Sequence, residues 1–188
     1  MYRGGYSSVL VDPNRLVIDI ETTSLDPSEN GRVVCICTNN LKTDEAKTFF
    51  DLDESAMLAK FWQYVGECGK GADGTASSSV QLVGFNVNSF DVPYLIHRSL
   101  VCGVRTEKFS VLDLRQTVNG FFHSYNKFVK GDLAYWAKIL GIEQETHSGK
   151  FVPSLFIQEK YDEIVKHCVE DTILTKALFK QVEKCNLL

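Results

Sequence analysis

Asp19 lies in an apolar run, LVIDI, and Glu21 follows it two residues later. Along a strand, positions i and i+2 point to the same face. Two carboxylates side by side on an apolar strand repel each other and resist burial. A divalent cation is the simplest compensation. A solvated Glu21 past the strand end, with Asp19 closing a turn, is the plainer reading. Asp91 sits in GFNVNSFDVPYL, between an apolar run and a helical pattern. A strand end in a mixed sheet is where ligands bind, although a first-turn acid also suits the helix dipole. His167 and Asp171 are spaced i, i+4, which puts them on one side of a helix, about 5–6 Å apart at Cβ. They interrupt a stripe running through Ile164, Cys168, Leu174, Thr175 and Leu178. A hydrogen-bonded buried pair would explain them. So would proton transfer, because a histidine titrates near neutral pH, at about 6.5 when unperturbed.

The elements that must position these residues follow from periodicity. Residues 16–20, 33–38 and 46–51 read as three strands joined by short connections with Asn-Gly and Lys-Thr-Asp turn signals, an antiparallel meander. Residues 53–66 carry helical spacing, with Asp53 as N-cap and Gly66 as stop. The stretch 66–79, GECGKGADGTASSS, has no periodicity and reads as a mobile surface loop. It lacks the spacing and flanking elements of a phosphate-binding loop. Residues 80–85 read as a strand, 89–102 as a helix with Pro93 in its first turn, and 109–112 as a strand ending at Asp113. Residues 114–131 read as irregular. Residues 132–140 form a helix between Asp132 and Gly141, and 160–184 a long last one. The order predicts a single α/β domain over residues 1–188, a five-stranded mixed sheet with helices on both faces.

Composition narrows the function classes. The 188 residues are 44% hydrophobic and 23% charged, ordinary for a globular domain, which excludes a fibre, a coiled coil and a disordered tail. No apolar run is long enough to span a membrane, and residues 1–15 carry no secretory pattern, so an intracellular location, cytoplasm or nucleus, is expected. The net charge of −4 argues against a basic nucleic-acid-coating protein. The charge is uneven: residues 1–93 hold 7 Lys and Arg against 13 Asp and Glu, residues 94–188 hold 13 against 11. Six cysteines, Cys35 and Cys37 among them as C-x-C, with no C-x₂-C or H-x₃₋₅-H to partner them, read as reduced, buried small hydrophobes rather than a zinc site.

Taken in order, VIDIETTSLDP, GFNVNSFDVPYL and HCVED resemble the three motifs of the DEDD 3′–5′ exonuclease superfamily, which has a ribonuclease H-like fold. VLDLRQTV followed by DLAYWAKILGI is similar to the segment between the last two motifs. The likeness runs from about Leu16 to about Phe179, and is strongest to the exonuclease domains of family B DNA polymerases and their stand-alone relatives. It implies that Asp19, Glu21, Asp91 and Asp171 hold two Mg²⁺ or Mn²⁺ ions, with Asn86 and Phe90 at the second motif's Asn and aromatic positions. Hard carboxylate oxygens suit these ions better than Zn²⁺. One position departs from the pattern. That branch has Tyr four residues before the last Asp, where His167 stands. The other large branch has a His one residue earlier, at the position of Lys166. His167 is therefore expected as general base or as a group that orients water.

The resemblance further implies that the turn holding Thr22, Thr23 and Leu25 grips the terminal nucleotide, an apolar wedge included. An ordinary polar turn is the alternative. Phe121, Phe122, Tyr125 and Phe128, interleaved with His123, Lys127 and Lys130, could stack bases and hold phosphates, or simply pack under a loop. Lys150 could reach a phosphate or be solvated. The expected activity is metal-dependent 3′–5′ exonucleolysis at a single-stranded 3′ end, DNA slightly favoured over RNA. A non-catalytic binding module or an RNA-trimming nuclease are the alternatives.

Overall fold

The computed structural model describes residues 13–28, 30–70, 79–125, 131–142 and 149–188, with backbone alone for 121–125. Five strands form one sheet: β1 (Asn14–Thr22), β2 (Val33–Asn40), β3 (Ala46–Phe50), β4 (Val80–Gly84) and β5 (Phe109–Asp113). Their order is β3-β2-β1-β4-β5. β1 and β2 are antiparallel, as are β2 and β3, so the expected meander is present. β1, β4 and β5 are parallel. The central strands can be apolar on both sides because both faces are covered.

One face packs on α1 (Glu54–Cys68) and α2 (Asp91–Val101). There Leu16, Ile18, Ile20 and Ile36 meet Leu58, Phe61, Trp62 and Leu95. The opposite face carries α6 (Tyr161–Lys184), whose Leu178, Phe179 and Val182 cover Val17 and Val83. Since Val17, Asp19 and Glu21 alternate with Ile18 and Ile20, both acids fall on the α6 face. Three smaller helices complete that side: α3 (Leu114–Tyr125), α4 (Leu133–Leu140) and α5 (Val152–Ile157). Among the described residues no helix is long and apolar enough to cross a membrane.

Several boundaries follow local chemistry as expected. The Asp53 carboxylate accepts from the N–H of Ser55 and Ala56 and starts α1. Asp132 accepts from Tyr135 N–H to start α4, and Gly141, with φ 70°, ends it. Gly66 does not stop α1. The helix runs on to Cys68, and Gly66 instead admits the Glu107 side chain, which a Cβ there would meet at 3.2 Å. The expected loop at 66–79 therefore begins after the helix, and residues 71–78 lie outside the described ones. The segment 114–131 is not irregular through its length. Its first twelve residues form α3, because Asp113 caps the Arg115 and Gln116 N–H groups and Leu114 is buried under α6. A short 3₁₀ turn at Gly149–Phe151 and the six-residue α5, with Pro153 in its first turn, were also unexpected.

A buried ion pair ties three elements together. Arg98 donates from Nη2 and Nε to Glu54 at 2.7 and 3.0 Å. Glu54 also accepts from Val33 N–H at 2.7 Å, and Arg98 Nη1 donates to the Pro27 and Ser28 carbonyls, both at 3.1 Å. α1, α2 and the β1–β2 connection thus meet at one desolvated pair. Removing one member leaves the other charge buried and alone. Arg98→Met should lower unfolding stability by about 3–5 kcal/mol, read by urea denaturation. Adding Glu54→Gln should recover part of that loss. A cost near zero would show that the pair is not buried in solution.

Candidate active site

The carboxyl ends of the parallel strands β1 and β4 open into a cleft of about 530 Å³. Asp19 and Glu21 enter it from β1, Asp91 from the start of α2, and His167 and Asp171 from one side of α6. Each reaches the cleft for a local reason. Strand alternation brings the first two together. The i, i+4 spacing does the same for the last two. Asp91 arrives through the tight loop after β4, where Asn86 takes a left-handed φ of 68°.

Asp113 fastens that loop. Its carboxylate accepts from the Asn86 and Asn88 N–H groups, both at 3.0 Å, as well as capping α3. Arg115 Nη1 donates to Asn86 Oδ1 at 2.6 Å, so the Asn86 side chain is itself anchored. Sequence reasoning saw Asp113 only as a strand end. An acid closing an apolar run and followed by Leu was the available signal. Asp132, the α4 cap, also lines the cleft.

The electrostatics are those of crowded, desolvated acids. Burial, then the charges of Glu21, Asp91 and Asp171, push the Asp19 carboxyl well above its ordinary range. Glu21 is raised by burial and by Asp171 and Asp91. Asp91 rises to about 7, chiefly through burial, despite hydrogen bonds from its own backbone and that of Ile20. One atom states the problem most sharply: Asp19 Oδ2 is buried with no hydrogen-bond partner. Burying an oxygen of a charged group unsatisfied is costly, and a hard cation is the partner such an oxygen lacks. No lysine or arginine is among the described residues lining the cleft. His167 Nε2 lies 3.5 Å from Glu21 Oε1. Gly149 runs beside this pair, where a Cβ would sit 3.5 Å from His167 Nε2 and 3.7 Å from Glu21 Oε2.

A family profile, RNase_H_2, described as RNase_H superfamily, matches residues 16–183. The chain belongs to the RNase H superfamily. Uncharacterized protein MJ0365 of Methanocaldococcus jannaschii is 30% identical over 187 residues, covering 93% of this chain and 98% of its own length. Among solved structures, the family B DNA polymerase of the hyperthermophilic archaeon Pyrobaculum calidifontis is similar at a TM-score of 0.71 and 18% identity. That likeness covers 93% of this chain but 25% of the polymerase, and it is a likeness of fold.

In this RNase H-superfamily chain, seven of the nine expected site residues line one cleft: Asp19, Glu21, Asn86, Phe90, Asp91, His167 and Asp171. Thr22 and Leu25 are not among its lining residues. The Thr22 hydroxyl donates to Ser24 O at 2.8 Å, and Thr23 Oγ1 accepts from Arg32 N–H at 3.0 Å, so both serve their own turn. Leu25 stands 86% exposed. Lys150 is exposed on the 3₁₀ turn, next to the lining residue Gly149. The side chains of Phe121, Phe122, His123 and Tyr125, and the whole of Lys127, Phe128 and Lys130, lie outside the described residues.

A second cluster sits beside the acids, on the neighbouring strand and the same face of the sheet. Cys35 and Cys37 on β2 pair in register with Glu21 and Asp19. With Cys168 of α6 they bring three buried sulfurs within 4.8 Å of one another. The sequence could not reveal this, because Cys168 is more than a hundred residues from the other two.

The raised acids have a pH consequence. In the folded chain these carboxyls hold protons more tightly than in the unfolded one, whose acids titrate near 4. Between about pH 4 and the Asp91 value of about 7, the folded state binds the extra protons, so stability falls as pH rises. Melting temperature of the protein in EDTA should drop across this window, and Asp91→Asn should shallow the drop. A flat profile would contradict the crowding.

Proposed function

We propose that this RNase H-superfamily protein is a divalent-metal-dependent 3′–5′ exonuclease, releasing nucleoside monophosphates from single-stranded 3′ ends, DNA slightly favoured over RNA. The observation that carries the reading is the convergence of Asp19, Glu21, Asp91 and Asp171 with His167 in one cleft, with Asp19 Oδ2 buried and unsatisfied. That donor set is all hard oxygen and fits Mg²⁺ or Mn²⁺. Asp19, Glu21, Asp91 and Asp171 would hold two such ions. When bound, they supply an activated water and stabilise charge on the leaving 3′ oxygen.

The chain's own residues do the rest. His167 accepts a proton from water, or turns the water toward phosphorus, and its contact with Glu21 fixes the ring. Asn86, anchored by Arg115 and Asp113, keeps the wall of the cleft still. Phe90 offers an aromatic surface beside Asp91, backed by the Tyr94 ring at 5.5 Å. The exposed Leu25 is suited to wedge against a terminal base. A cleft open at the strand ends and lined by Asn86, Phe90 and His167 beside the acids would take a chain end rather than a duplex interior.

Digestion of 5′-labelled single-stranded oligomers tests the proposal. Stepwise shortening from the 3′ end should require Mg²⁺ or Mn²⁺. Asp19→Asn or Asp171→Ala should slow it by orders of magnitude. Circular and 3′-blocked substrates should survive. Cleavage that persists in excess EDTA, or that opens circles, would sink the reading.

His167 has its own test. His167→Ala should lower single-turnover cleavage by about 10²–10⁴-fold while 3′-end binding is kept. His167→Tyr should restore part of it. Wild-type turnover in the Ala variant would leave His167 a packing residue.

A further inference from the structure

The three sulfurs beside the acidic cleft have a geometry of their own. Cys35, Cys37 and Cys168 are each 0–1% exposed. Cys35 and Cys37 stand two apart on β2 and so share its α6 face. Cys168 meets them from α6, its thiol donating to the Asp19 carbonyl at 3.3 Å. The Thr48 hydroxyl lies 3.6 Å from Cys37 Sγ. Around them pack Val34, Val152 and Ile164. No fourth His, Cys, Asp or Glu joins the group among the described residues.

We propose that Cys35, Cys37 and Cys168 form a soft-metal site that takes a single Cu⁺ ion in three-coordinate sulfur geometry. A metal–thiolate bond of about 2.3 Å places the sulfurs of a planar three-coordinate site about 4 Å apart. The observed separations, all within 4.8 Å, need little closure. Thiolates select Cu⁺ and Zn²⁺ over hard ions. Zn²⁺ in structural sites almost always takes four ligands, and among the described residues no fourth His, Cys, Asp or Glu joins the three sulfurs. On binding, Cu⁺ enters and the displaced thiol protons leave to solvent. Val152 of the short α5 packs against the sulfurs. The sulfurs adjoin the carboxylate cleft, since Cys37 and Cys35 are the register partners of Asp19 and Glu21 on the same face. What distinguishes the two donor sets is soft sulfur against hard oxygen.

The test is anaerobic titration of the reduced full chain with Cu⁺ held by bathocuproine disulfonate, a colorimetric competitor. One equivalent should transfer to the protein after long incubation. Cys37→Ser and Cys168→Ser should each weaken retention by more than the 10–100-fold that loss of an outer contact costs. Cys185→Ser, on the exposed end of α6, should change nothing. X-ray absorption on the wild-type complex should give three sulfurs at about 2.3 Å, which decides the matter even if a serine variant fails to fold. No transfer, transfer unaffected by both serine variants, a shell containing nitrogen or oxygen, or Zn²⁺ retained in preference to Cu⁺ would each overturn the proposal.

Discussion

Crowding of like charge away from water governs this molecule. Five carboxyl groups, Asp132 included, line one cleft; three of them are pushed upward in pKa by burial and by neighbouring acids, and Asp19 Oδ2 has no hydrogen-bond partner. Hydrophobic burial on both faces of β1 forces this arrangement, since the strand cannot bury Ile18 and Ile20 on one side without carrying Asp19 and Glu21 on the other. The remaining acids come to the same point from separate elements. The fold tolerates a locally unfavourable cluster because the surrounding sheet over-determines it.

Holding such a cluster requires rigid supports, and these are themselves charged. Asp113 fixes the loop that delivers Asp91, and the Glu54–Arg98 pair fixes the turn after β1 from the opposite face. Neither lines the site by virtue of its own charge. Both satisfy backbone N–H or carbonyl groups that a tight loop would otherwise leave bare. The strained φ of Asn86 is sustained by this bonding.

The sheet and the long helices were legible in the sequence because each rests on local spacing. The four acids were read as one set only through the resemblance carried by three motifs in order. Period two around Asp19 and Glu21, period 3.6 around His167 and Asp171 and the junction at Asp91 each allowed a plainer reading. What was not legible depends on partners distant along the chain. α3 hid behind polar and aromatic residues whose helical start depends on Asp113. α1 ran past Gly66 because that glycine answers to Glu107 rather than to its own neighbours. The three-cysteine cluster required knowing that α6 lies over β2. The turn at Thr22 and Thr23 was read as a nucleotide grip or an ordinary polar turn, and both hydroxyls take part in closing it.

The position of α6 in the chain carries a consequence for biosynthesis. The two side chains it contributes to the cleft, His167 and Asp171, come after every strand of the sheet has been made. A nascent chain can build the β1–β3 meander and pair β4 and β5 while Asp19 and Glu21 still face solvent, ionised and apart from their later companions. The acidic cleft is complete only when α6 docks across β1 and β2. A chain stalled before α6 would carry Asp19, Glu21 and Asp91 but neither His167 nor Asp171.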